Sequence, residues 1–199
     1  MSEPCNRIDD TAVLAALKDA QAILSGHFCL TSGLHSDTYI QCARVLEDPA
    51  LTNNLAREIV ARLPEDLEID LVASPAVGGI LFGFAVADAL GRHLIFSERV
   101  EGKMRFRRSF KVPTGARVLV AEDVVTTGSS VKEVCDLVED AGGIVVGVVS
   151  LIDRGGIRLF EQPFFPLLKL PTPSWSPDTC ELCAQGVEIY APGSRNLGK

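Results

Sequence analysis

Between residues 69 and 152 the sequence repeats one rhythm, a short continuous apolar run followed by a stretch of helical periodicity, and few folds accommodate it. The apolar runs are Ile69 to Ala73, Leu94 to Ser97, Val118 to Ala121 and Ile144 to Ile152. Helices are expected over Gly79 to Leu90 and Gly128 to Ala141. Strands that are apolar on both faces and separated by helices imply an α/β fold, a central, mainly parallel sheet flanked by helices. In such sheets ligands bind beyond the carboxyl ends of the strands, close to the point where strand order reverses.

The flanks depart from this rhythm. Asp9 or Asp10 can cap a helix carrying Val13, Leu14, Leu17, Ile23 and Leu24 at helical spacing, with Gly26 as its stop. Residues 27–46 alternate loosely and contain Ser-Gly and Ser-Asp turn signals, so a hairpin or a loop with strand character is expected. Pro49 opens a helix that Pro64 ends near Leu63. The Pro-rich tail from Pro163 onward is expected to pack over the sheet as a small flap. With 199 residues, 47% of them hydrophobic, the chain reads as one domain (1–199) whose hood elements span about 1–46 and 163–199.

Several function classes recede. No apolar stretch reaches the roughly 18 residues of a membrane helix. The polar, acidic start from Met1 to Asp10 lacks a signal-like apolar run, so a cytoplasmic home is expected. A net charge of −7 opposes general affinity for nucleic acid. The charge is uneven, however: residues 99–117 carry +6, from Arg99, Lys103, Arg105, Arg107, Arg108, Lys111 and Arg117 against Glu101, leaving −13 elsewhere. A local anion site fits this better than a polyanion surface.

Residues 118–130 carry the main chemical signal: a buried strand runs into Glu122-Asp123, then Val124-Val125, then the small-residue turn Thr126-Thr127-Gly128-Ser129-Ser130 that opens a helix. Backbone N–H groups, hydroxyls and the positive helix end can wrap a monophosphate. Carboxylates beside such a cradle would repel it unless ribose hydroxyls or a magnesium ion lay between. No Lys follows Gly128 as in a Walker A loop, and no dinucleotide-type glycine pattern is present. Ser74-Pro75-Ala76-Val77-Gly78-Gly79 is a second strand-to-helix turn whose glycines let backbone approach an anion. Arg154, after Leu151-Ile152-Asp153, can grip a carboxylate in bidentate fashion or pair with Asp153. The polar stretch from Arg99 to Arg108 reads as a mobile cationic loop able to close over a reacting centre.

Segment 118–130 resembles the signature of type I phosphoribosyltransferases, which bind phosphoribosyl pyrophosphate (PRPP). Gly26 to Ser36, Leu151 to Gly156 and the ending Ala191-Pro-Gly-Ser-Arg are similar to segments of the orotate-using branch. The resemblance covers about residues 20–160 and, more weakly, the tail. It implies that Glu122 and Asp123 hold the ribose hydroxyls, that Thr126 to Ser130 hold the 5-phosphate, that Val124, Val125, Arg99 and Lys103 also bind PRPP, and that Val77 and Gly78, with an unusual cis peptide nearby, flank the pyrophosphate. It implies catalytic roles for Lys103, Asp123 and Glu122, and a loop from Arg99 and Lys103 reaching a neighbouring subunit in a homodimer. Thr126, Arg154 and Thr31 would touch orotate, and Mg²⁺ would arrive mainly on PRPP. The chain departs from the pattern where Gly78 and Thr31 replace lysines, and where Val100 and Arg105 replace a Lys and a His. A purine-type enzyme, or a PRPP-sensing regulator, are the alternatives.

The six cysteines are read as reduced thiols or metal ligands rather than disulfides. Cys180-Glu-Leu-Cys183, after the helix start Ser176-Pro177, would put two sulfurs on one helix face. Zinc needs four ligands. No second Cys-x-x-Cys exists, so a complete site would recruit Cys5, a His or another subunit. Reduced thiols are the default expectation, with no residue assigned to a metal. His27 and His35 serve equally well as turn residues.

Overall fold

The computed structural model describes residues 9–30 and 32–192; Thr31, Cys5 and Ser194-Arg195 of the tail lie outside them. Helix α1 spans Asp10–Asp19, with Asp9 accepting from Ala12 N at 2.7 Å, a cap worth about 1 kcal/mol. It ends sooner than its periodicity suggests. Gln21 takes φ 56°, and Ile23 and Leu24 open strand β1, Ile23–Cys29, which pairs antiparallel with β2, His35–Ile40. The hairpin expected from residue 27 therefore starts at 23, and Gly26 lies inside a strand rather than stopping a helix.

A short helix α2, Ala43–Leu46, leads to α3, Pro49–Ala61, whose first turn Asp48 caps. Cys42, Val45 and Leu46 are buried in the main core.

The body follows the expected alternation: β3 Leu71–Pro75, α4 Gly78–Leu90, β4 His93–Val100, β5 Lys103–Phe106, β6 Arg117–Val125, α5 Ser129–Asp140, β7 Ile144–Asp153 and β8 Phe164–Lys169. Strand order is β5-β4-β3-β6-β7-β8, parallel except for β5. Alternate residues serve opposite faces: Val72, Leu119 and Ala121 pack with Leu17, Leu55, Ile59 and Phe82 of α1, α3 and α4. Leu71, Val118 and Val120 pack with Val131, Val134 and Val138 of α5, an i, i+3, i+7 stripe.

Two sequence expectations need correction here. The tail is not wholly a flap, because β8 extends the main sheet beside β7. The cationic stretch is not an irregular loop: Arg99 pairs with Met104 and Val100 with Lys103 around a two-residue turn, Glu101-Gly102, both at positive φ. Such turns match the twist of antiparallel strands. No helix among the described residues is long and apolar enough to cross a membrane.

Candidate active site

Strand order reverses between β3 and β6, and their carboxyl ends bring the two turns singled out in the sequence together. Residues 76–79 close tightly on the acid pair. A Cβ at Gly78 would stand 2.6 Å from Asp123 Oδ2, and one at Gly79 2.9 Å from Glu122 Oε1. Glycine at position 78 thus lets the Asp123 carboxylate reach the start of α4. The Ala76–Val77 peptide is cis, as the resemblance implies, and Ala76 N donates to Ser97 O at 2.8 Å.

Glu122 and Asp123 are both half-buried. One oxygen of each is held by a local bond, Glu122 Oε1 accepting from Asp123 N at 3.1 Å and Asp123 Oδ1 from Val124 N at 2.9 Å. Burial, and next the neighbouring Asp123, push the Glu122 carboxyl well above its ordinary value. Cys42, whose thiol burial and these two acids push upward, lies beneath them and is inert as a nucleophile.

Beyond the acids, Val125 is buried and the chain turns through Thr126–Gly128 into α5. Gly128 sits at φ 72° against Phe160, whose ring would lie 2.4 Å from a Cβ there. Only glycine satisfies both the dihedral and the space. Among the described residues, the N–H groups of Thr127, Gly128, Ser129 and Ser130 donate to no acceptor, and the hydroxyls of Thr126, Thr127, Ser129 and Ser130 make no hydrogen bond. They surround a concavity of about 160 Å³ that Glu122 and Val124 also line. Orphan donors at the positive end of a helix form an anion site.

A larger cavity of about 740 Å³ adjoins it, and both are lined by Thr126 and Thr127. Its walls are Leu30, Ser32 and Leu34 of the β1–β2 turn, Arg154 to Gly156 after β7, and Pro171 to Ser174 of the tail. Arg154 is half-buried, anchored by its N to Val125 O and by Nε to Thr172 Oγ1, each at 2.8 Å. It forms no ion pair among the described residues; Asp153 instead accepts from Gly155 N at 2.9 Å. Burial pulls the guanidinium below its ordinary value, and Tyr39 partly restores it. Sequence reasoning missed Thr172, whose hydroxyl accepts from Arg154 and which carries no local signal.

The basic window is largely engaged within its own chain. Arg99 pairs with Glu133 of α5 at 2.7 Å and donates to Gly102 O, Arg107 and Arg108 pair with Glu98, and Arg117 pairs with Glu68 and Asp70. Arg117 holds the Asp70 carboxyl well below its ordinary range. Lys103 is exposed and makes no hydrogen bond or ion pair among the described residues. The structure therefore brings Glu122, Asp123, Val77, Gly78, Thr126 to Ser130 and Arg154 to one place, while Arg99 is tied to α5. Thr31 cannot be placed.

Residues 44–163 match the model of the phosphoribosyl transferase domain. An orotate phosphoribosyltransferase of Chlorobium phaeobacteroides (strain BS1) is 48% identical over 188 residues, 94% of this chain and 96% of that one. Its counterpart in Carboxydothermus hydrogenoformans is 47% identical over 179 residues, covering 89% and 94%. The solved orotate phosphoribosyltransferase of Aeropyrum pernix superposes with a TM-score of 0.65 at 26% identity, over 79% of this chain and 93% of that one. Fold, site geometry and these likenesses agree, and the chain belongs to the orotate phosphoribosyltransferase family of phosphoribosyl transferase domain proteins.

Proposed function

We propose that the chain transfers ribose 5-phosphate from PRPP to orotate, releasing pyrophosphate and orotidine 5-monophosphate for pyrimidine (UMP) synthesis. One observation carries the reading: a cradle of orphan donors meets, at Thr126 and Thr127, a cavity with a guanidinium in its wall. The 5-phosphate accepts from the N–H groups and hydroxyls of residues 126–130. Glu122 and Asp123 accept from the ribose hydroxyls and so fix the anomeric carbon between the two concavities. The carboxylate of orotate lies against Arg154, whose plane Thr172 orients. Uracil and the purine bases lack that carboxylate.

Orotate N1 forms its bond to the anomeric carbon as the bond to pyrophosphate breaks; the electron pair leaves on pyrophosphate and the N1 proton passes to solvent. The sugar passes through oxocarbenium character, as in glycoside cleavage, without a covalent carboxylate intermediate. Magnesium enters with PRPP as part of the substrate and supplies positive charge on the leaving group. Oxygen-only donors such as Asp123 suit a hard cation near that position. Lys103 supplies further charge from an adjoining hairpin, across the subunits of a homodimer acting in the cytoplasm. To test the reading, the protein is given PRPP and magnesium with orotate, adenine, guanine, xanthine or uracil in turn. Orotate alone should be consumed; consumption of a purine, or of no base, would sink the assignment.

A further inference from the structure

Away from the active site, four side chains from distant parts of the sequence converge. His27 of β1, His35 of β2, Cys180 and Cys183 place one donor atom each within 4.8 Å of one another. His27 Nε2 lies 3.1 Å from His35 Nδ1, 3.4 Å from Cys180 Sγ and 3.7 Å from Cys183 Sγ, and Cys183 Sγ lies 3.2 Å from His35 Nδ1. These are close to the edges of a zinc tetrahedron. Zn–N bonds of about 2.05 Å and Zn–S bonds of about 2.3 Å imply edges of about 3.3 Å between nitrogens and about 3.6 Å between nitrogen and sulfur.

Hydrogen bonding alone accounts poorly for the cluster. His27 Nδ1 donates to Val187 O at 2.8 Å, which leaves Nε2 one lone pair facing three neighbours at once. A carbonyl that fixes the far nitrogen of a histidine is the usual partner of a metal ligand. His27, His35 and Cys180 are 3%, 7% and 4% exposed, whereas Cys183 is open to solvent and gives an ion its way in.

We propose that these four residues bind one structural Zn²⁺, with two thiols surrendering protons to solvent on binding. All four positions of the tetrahedron are filled by protein, leaving none for substrate, so the role is to fasten rather than to react. What it fastens is the tail to the β1–β2 hairpin. The backbone already pairs them on both sides, through His35 with Trp175 and through Cys29 and His27 with Tyr190. The same two segments wall the larger cavity. The expectation that both sulfurs share one helix face is not met: Cys180 is the N-cap of the short helix Glu181–Ala184, and the histidines beside it lie about 150 residues upstream.

The test is metal analysis of the full chain purified without chelator, followed by replacement of zinc with cobalt(II). One zinc per chain is expected, and the cobalt form should show tetrahedral d–d bands with thiolate charge transfer. Stripping the metal should lower Tm without requiring any substrate in the assay, so the result is independent of the proposed reaction. The C180S/C183S double variant should lose the metal, and C135A, altered in α5, should retain it. A folded wild-type protein that carries no zinc and takes up neither ion overturns the proposal, as does undiminished uptake by the double variant.

Discussion

Glu122 is held where its charge is costly. Its folded carboxyl titrates above the ordinary 4.5, so the carboxyl stabilises the fold fully below that value and loses its contribution as pH rises through the folded value. Glu122→Gln should therefore raise the Tm of the ligand-free protein at pH 8, and the gap to wild type should close as pH falls toward 4.5, where wild type is itself protonated. Turnover should fall at least tenfold, since the amide cannot hold ribose hydroxyls as a carboxylate does. Equal Tm values at pH 8 would mean that the carboxyl is solvated after all. This pair of acids was legible in the sequence because a buried strand, two carboxylates and a phosphate turn follow one another in order. Thr172, whose hydroxyl accepts from Arg154 Nε, was not, because nothing in its own neighbourhood marks it.

At the scale of elements, the β4–β5 hairpin hangs on one residue of α5. Glu133 accepts from Arg99 through both oxygens and from Met104 N. Its partner Arg99 is well exposed, so the link contributes about 1 kcal/mol or less. Glu133→Ala should speed hydrogen exchange of the amides of residues 103–106 up to roughly fivefold while leaving the central strands protected. Unchanged exchange would assign the hairpin's order to Ser97, Met104 and Phe106 packing instead. This hairpin had a sequence signal, Glu101-Gly102 between residues that alternate with the buried Met104, but the density of Arg and Lys masked it. The end of α1 had none. Ile23 and Leu24 continue its apolar spacing, and the break comes from Gln21 entering a left-handed conformation that its identity does not announce. The parallel strands were readable because they are apolar on both faces, though some of their ends shifted by up to four residues.

For the molecule as a whole, the proposed sharing of Lys103 between subunits has a direct measurement. Lys103→Ala should lower turnover tenfold or more with the fold intact, and Arg154→Ala should abolish use of orotate. Refolding the two variants together should restore roughly a quarter of wild-type activity, because half the dimers are mixed and each mixed dimer has one undamaged site. No recovery would confine Lys103 to its own chain. The cavity that both variants address is assembled from both halves of the sequence: the β1–β2 turn forms one wall and residues 171–174 another, held by pairing as far along as Tyr190. A ribosome making this protein therefore adds every strand of the central sheet, β8 included, before it reaches the second wall. Translation that stops before Pro171 leaves a product without this wall and without the Thr172 hydroxyl that orients Arg154, and such a product should fail to bind orotate.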